Sequence, residues 1–527
     1  MTNSSRPIKR ATAAMTILTA LAACTPTAPA PTAGDVTTVL SEDSDAGALD
    51  TTAGATDAAD SDRAALGPGL PVVHKIDAEA AERGSHFFID AWPGVGTLPA
   101  IALRHTYLAW TTDLLTIYKY YSDDASYWPA FRERYGLFAA PTTNDGLPLG
   151  FVKVKGSANA SVTCLVCHAA ADPTGEVRVG LANHRLDLQG LYDDLNAMPA
   201  AFAALKAQPL PEPYKSLIAA MPIPPIPAPK PGMTARTGAP GATDAMGLGL
   251  HFGALALGKD PDADGIQTRF GFQNPTAWWT VKHKAVRYWD ASVPFGGHRT
   301  MMATLLGLGL NFSQLLALDG VFSDVEQYLL TIPAPAWPFE APAPASVAAG
   351  RAVFEATCAP CHGVYHGPKA NYPNLVVKLS DIGTDPLRVA NFGAKEAAVA
   401  NQLIADPNHA MVPSGGYLAQ PLVGIWATAP YLHNGSVPDL RGVIDSSARP
   451  KRWRRHGEGD AAYDRVAMGW AFVVVDGSAS AVAPPATIEA RKVVETSHPG
   501  MSNAGHTYGD ALDPGQRAAL LDYLKTL

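Results

Sequence analysis

Cys164-Leu165-Val166-Cys167-His168 and Cys358-Ala359-Pro360-Cys361-His362 each place two thiols two residues apart with a His directly after them. Covalent haem attachment needs that order: both sulfurs add to the vinyl groups of one porphyrin edge, and the adjacent imidazole binds iron from the proximal side. The pentads use four of the chain's five cysteines, which leaves no pair for a disulfide. Pooling both Cys-x-x-Cys pairs on one zinc ion is the alternative, and it leaves the His after each pair without a task. The reading is two covalently bound haem c groups, attached at Cys164, Cys167, Cys358 and Cys361, with His168 and His362 as proximal ligands.

The group opposite each proximal His decides the chemistry, because six-coordinate haem mainly passes electrons while an open iron binds small oxidants. For His362 the candidates are Met411, His433, Met468, Met501 and His506; Met411, in Met-Val-Pro, would raise the potential. For His168 the candidate is His184, sixteen residues further on, with a surface histidine as the alternative. Trp278 and Trp279 stand in the basic run Asn274 to Lys284 and read either as core packing or as an aromatic relay between two haems. His298 and Arg299 are candidate polar pocket groups, against the plainer reading of a solvent-facing loop.

Several segments must carry these groups. Arg6, Lys9 and Arg10 precede a short apolar run ending in Leu21-Ala22-Ala23-Cys24, so residues 1–23 read as a secretory signal, too short to span a bilayer. Leu-Ala-Ala-Cys has the form of a bacterial lipobox, which would make Cys24 the lipidated first residue; an ordinary signal with an incidental Cys is the alternative. Residues 24–69, rich in Ala, Thr, Asp, Gly and Pro, cannot bury a core and read as a disordered tether. An N-terminal haem domain is expected over 70–208, where Leu103, Tyr107, Trp110, Leu114, Leu115, Ile117 and Tyr118 recur at near-helical spacing, as core or as cover for a haem face. A Pro-rich strap and inter-haem segment follow over 209–345; Pro209 to Pro231 should hold no regular helix, and Ser323-x-x-Glu326 reads as a capping box.

Residues 346–527 have the order of a class I cytochrome c domain: a helix capped by Ser346 running into Cys358, an irregular middle with a hairpin near Ala471 to Val475, and a final helix opened by Asp513-Pro514-Gly515-Gln516. The expected fold is mainly α with long irregular loops and a few short strands, built as two cytochrome c-type haem domains.

The pentads, joined through Thr428-Ala429-Pro430-Tyr431-Leu432-His433-Asn434-Gly435-Ser436, resemble the bacterial dihaem cytochrome c peroxidase superfamily. Together with Ser502-Asn503-Ala504-Gly505-His506-Thr507-Tyr508-Gly509, they are most similar to its rubber oxygenase branch, from about residue 100 onward. The resemblance implies His506 as the distal ligand of the C-terminal haem, ahead of Met411, and His433 as a group beside the inter-haem contact. It implies either a detachable His184 or an open iron at the N-terminal haem. It also implies a calcium ion held partly by backbone at Thr428 and Pro430. The function it implies is a redox enzyme of peroxidase or dioxygenase type, with a reactive N-terminal haem and an electron-transferring C-terminal one. An electron-transfer dihaem lipoprotein without catalysis is the alternative. Partners would be a small redox carrier and a small oxidant, peroxide or dioxygen.

The formal net charge of -8 argues against nucleic acid, and losing the signal removes three cations more. No apolar run beyond the signal is long enough for a membrane helix, so membrane contact would be through the lipid anchor alone, in the periplasm or at the outer membrane or cell surface. Cys24→Ser should therefore move the protein from the detergent phase to the aqueous phase of a phase-partition assay with its haem retained. Unchanged partition would show that another element holds the membrane.

Overall fold

A computed structural model of the chain describes residues 74–527 apart from 89–91, 95–96, 142–143, 222–236, 262–265, 267–270, 308–309, 367–368, 458 and 478–487. The signal, Cys24 and the tether lie outside the described residues.

The helix Pro344–Thr357 delivers the second pentad. It opens with Pro344 in its first turn, where a missing N–H costs nothing, so Ser346 is not its cap; the Ser346 hydroxyl instead donates to Asp522 (2.6 Å). Pro514–Leu524 crosses it, and here the expected capping box is present: Gln516 N–H donates to Asp513 (2.9 Å) and Asp513 N–H to the Gln516 side chain (3.0 Å). The crossing is close because Gly350 has no Cβ; one there would run into the Ala519 carbonyl. Phe354 and Tyr523 pack beside it with ring centres 5.1 Å apart.

A second pair, Ala78–His86 on Asp319–Thr331, is closed in the same way by Gly84 over the Asp324 backbone and by the two-pronged Arg83–Asp324 pair (2.7 and 2.8 Å). The second of these helices begins a turn earlier than the Ser323 capping box predicts. Glu326 is thereby placed inside the helix, where its carboxylate takes Arg287 and the Gly296 N–H instead of a cap.

The aromatic stretch Leu103 to Tyr121 is not one helix. It breaks into Ala100–Arg104, the turn Thr106–Ala109 and Leu114–Ser122, turning Leu103, Tyr107 and Ile117 inward and leaving Leu115 and Tyr118 exposed. Tyr127, Phe131, Tyr135 and Met198 complete this lobe core, and Val166 of the first pentad joins it, so these rings fill the lobe. Within the Pro-rich run the proline-free Tyr214–Ala220 does form a short helix.

Strands are more numerous than expected, making the fold mixed. Eight small sheets occur among the described residues, none wider than three strands. The expected hairpin near Ala471 is part of a three-stranded sheet in which Arg452–Arg455 pairs with Phe472–Val474 and Val493–Glu495. One apolar cluster runs from Phe88 and Leu165 through Trp278 and Trp279 to Phe354 and Leu524, so both pentads share a core. No helix among the described residues is long and apolar enough to cross a membrane.

Gly350→Ala should lower stability by about 2 kcal/mol, the scale of overpacking a tight contact. Gly249→Ala, inside the helix Ala245–Ala256 with open space at its Cβ, should be neutral or stabilising by up to about 1 kcal/mol. Denaturant unfolding of both variants checks the pair.

Candidate functional site

Cys358 ends the helix Pro344–Thr357, and the single turn Ala359–His362 carries the chain on, with the His362 N–H on the Cys358 carbonyl (2.9 Å). Cys358, Cys361 and His362 thereby face one cavity, whose apolar wall includes Phe354, Leu440, Leu520 and Leu524. His362 Nδ1 donates to the Gln420 carbonyl (2.8 Å), which leaves the lone pair on Nε2. The Tyr365 hydroxyl donates to the His362 carbonyl (2.8 Å).

His506 stands across the cavity, its ring centre 6.2 Å from that of His362. Two imidazoles on opposite sides of one metal need about this separation, given metal–nitrogen bonds of roughly 2 Å each. Burial and the neighbouring His362 hold His506 down to about 4, so it is neutral at pH 7, and its buried Nδ1 has no hydrogen-bond partner. Its loop is clamped. The His506 N–H donates to Ile382 O (2.7 Å), and the Arg449 guanidinium donates to the carbonyls of Asn503 (2.6 Å), Gly505 (2.7 Å) and His506 (3.0 Å). Gly505, at φ +73°, lies against the Gly383–Thr384 backbone, a place without room for a side chain. The pair of unlinked thiols, the two facing imidazoles and the apolar wall fit a haem.

Met411 is not part of this arrangement. Its backbone is tied on both sides to the Asn401 side chain (2.7 and 2.9 Å), its side chain lies in the apolar core, and it does not line the cavity. His433 does line the cavity, stacked on Tyr417 at 4.3 Å with a 3.0 Å bond to its hydroxyl. Thr428 and Pro430 lie on the same wall, as does Asn274, a buried amide with neither side-chain atom partnered.

The first pentad is held by the loop after it. Asn183 N–H donates to Cys167 O (2.9 Å), and its amide donates to Val166 O (3.2 Å) and Gly136 O (2.9 Å). Cys164 and Cys167 are unlinked, and burial pushes both thiols up to about 12. His168 Nδ1 is buried without a partner, and the ring stacks on Trp278 with centres 4.7 Å apart. The donor set suits haem attachment, and the indole covers one face of the imidazole. His184 has both ring nitrogens buried and unpartnered, held down to about 3 by burial and then by the Arg455 charge. It lies on the wall shared by the second pentad's cavity and a neighbouring one.

Trp279 is fully buried and donates to Val423 O (2.9 Å), a residue of the second pentad's cavity. The Trp pair thus connects the His168 ring to the wall around His362. His298 and Arg299 are elsewhere: both bind Asp319 (2.9 and 2.7 Å), and Arg299 also caps the carbonyls of Ile404 and Ala405, so they tie helices together and line neither cavity.

Sequence reasoning passed over Lys284. This lysine is 1 % exposed and donates to Gln420 Oε1 (3.1 Å), one residue's width from the bond to His362. Its only signal was a cation following a run of buried aromatic and aliphatic residues.

Residues 416–454 match the family described as RoxA-like, cytochrome c-like. They contain Gln420, Val423, Thr428, Pro430 and His433, of the wall facing the second pentad, and Arg449, which holds the His506 loop. Two uncharacterised proteins of Sinorhizobium fredii are similar. The protein y4iM is 28 % identical over 324 residues, covering 54 % of this chain and 70 % of that one. The protein y4iJ is 37 % identical over 121 residues, and the match spans 21 % of this chain and 18 % of its relative. The chain therefore carries a RoxA-like cytochrome c segment, which implies covalently bound haem c.

Burial, then the Arg287 charge, lowers Lys284 to about 7 from 10.5. A base lowered by folding is penalised in its charged form, fully below the folded value and not at all above the ordinary one. Lys284→Met should thus be more stable than wild type below pH 7, with the advantage shrinking as pH rises toward 10.5. Unfolding curves across that range test this, and a pH-independent difference would sink it.

Proposed function

We propose that the chain is an exported, lipid-anchored dihaem c-type cytochrome acting as a redox enzyme of peroxidase or dioxygenase type. The observation that carries this reading is the unlike surroundings of the two pentads, joined by Trp278 and Trp279. His362 faces a second imidazole, as a six-coordinate, electron-transferring centre requires; His168 faces none among its ring contacts. When bound, haem supplies redox-active iron at each pentad. The chain's own residues attach it through Cys164, Cys167, Cys358 and Cys361, orient His362 through Gln420, hold His506 through Arg449 and exclude water with the apolar wall. Buried indoles between the sites shorten the path for an electron. His184, its ring nitrogens buried and unpartnered, is the detachable distal ligand of the first pentad's haem, and a calcium ion would sit by the Thr428 and Pro430 backbone, with Asn274 the unpartnered amide on that wall. A small oxidant and a redox carrier are the partners.

Electron transfer without catalysis is the second reading, favoured by the buried, unpartnered imidazole of His184 directly after the Asn183 clamp of the first pentad, a second ring that would close that iron as well.

Haem staining of denatured protein should fall to about half for Cys164→Ala/Cys167→Ala and again for Cys358→Ala/Cys361→Ala, one haem per pentad. His506→Ala should turn one low-spin haem high-spin, and Met411→Ala should not. Cyanide binding to one ferric haem of the wild type supports the enzyme; two low-spin haems inert to ligand in every redox state support the carrier. Full staining of either double variant overturns the dihaem reading.

A further inference from the structure

A second cavity, about 380 Å³, opens beside the first pentad's loop, between residues 184–187 and the paired strands Arg452–Arg455 and Val493–Glu495. Seven of its lining residues are Arg or Lys and four are Asp or Glu, a positive surplus within a chain of net charge -8. Three of the cations are committed to little-exposed carboxylates: Arg491 to Asp187 (2.9 Å), Arg452 to Glu495 (3.1 Å) and Arg134 to Asp194 (2.8 Å). The pairs Arg185–Glu133 (3.1 Å), Lys492–Glu489 (2.8 Å) and Arg454–Glu489 (3.7 Å) use well-exposed carboxylates, which bind weakly in water and yield to a better anion.

Two features give the cavity a directed interior. The Arg455 guanidinium lies flat on Trp470, 3.2 Å from the ring centre, and its charge reaches His184. His498 Nε2 is buried on the lining without a hydrogen-bond partner. Trp453 and Pro240 supply apolar floor. Planar guanidinium groups above an apolar floor suit a carboxylate on an apolar body, because the fork matches two oxygens and the floor takes the hydrocarbon.

We propose that this cleft is a carboxylate-binding site. Two sources share that chemistry: an organic acid from solution, and the propionates of haem on the first pentad, whose clamp residue Asn183 immediately precedes His184. The second source rests on the haem reading of that pentad, which staining tests separately.

The test titrates the purified holoprotein with benzoate and with neutral benzamide by calorimetry, for wild type, Arg455→Gln and Arg454→Gln. Arg454 is on the rim, so its variant remains informative if Arg455→Gln loosens Trp470. A free acid predicts that benzoate binds, benzamide does not, and either variant weakens benzoate about tenfold or more, the loss of one charge-assisted bond. Bound propionates predict no benzoate binding in wild type, together with a shifted midpoint potential in Arg455→Gln that is absent when Cys164 and Cys167 are also replaced by Ala. Benzoate and benzamide binding equally, or no benzoate binding with an unshifted potential, overturns the proposal.

Discussion

The bond from His362 Nδ1 to the Gln420 carbonyl is the contact on which the second centre depends. A His next to Cys361 is free to rotate about its side chain, and a ligand must have its ring and lone pair aimed. Gln420 does the aiming, and its own side chain is held by Lys284, a lysine with almost no access to water. A buried cation on a neutral amide is an unfavourable arrangement, retained just beyond the strand Gly416–Leu418, which lines the same cavity as the pentad. The segment matching the RoxA-like, cytochrome c-like family begins on that strand and ends in Arg452–Arg455, the central strand of the sheet that lines the basic cleft.

Around this contact the chain is closed by backbone approaches that tolerate no side chain. Gly350 lets the helix bearing the pentad meet the last helix, and Gly505 lets the His506 loop press on residues 383–384. Arg449 gathers the carbonyls of Asn503, Gly505 and His506, so the loop bearing the imidazole is held by a guanidinium 57 residues away in sequence. The two lobes are not insulated from each other: Trp278 touches His168, Trp279 touches the wall of the His362 cavity, and both belong to one core. The chain places a pair of polarisable rings where two redox groups would have to communicate, in a region from which water is excluded.

Lobe packing shows how local signals yield to tertiary ones. Apolar and aromatic residues recur at near-helical spacing from Leu103 to Tyr121, yet the chain turns at His105 and again after Trp110, because the rings pack on Tyr127, Phe131 and Tyr135 from another segment. Glu326 had the spacing of a cap and became the partner of a buried arginine. In both cases a contact distant in sequence outweighed a local preference of about 1 kcal/mol.

The sequence alone determined the attachment chemistry, since Cys-x-x-Cys-His is a covalent pattern contained in five consecutive residues, and it determined the Asp513–Gln516 cap, which is equally local. It also brought His506 forward through a resemblance. Only the tertiary structure separated His506 from Met411, because ligation depends on which side chain faces His362 across a cavity, and that is set by Arg449 and Gly505 rather than by spacing. The same reason removed His298 and Arg299 to Asp319, put His184 on a shared wall, and disclosed Lys284 and the basic cleft: burial and charge convergence arise between separate segments, 21 residues apart for His298 and Asp319 and 304 apart for Arg491 and Asp187, and leave no local mark.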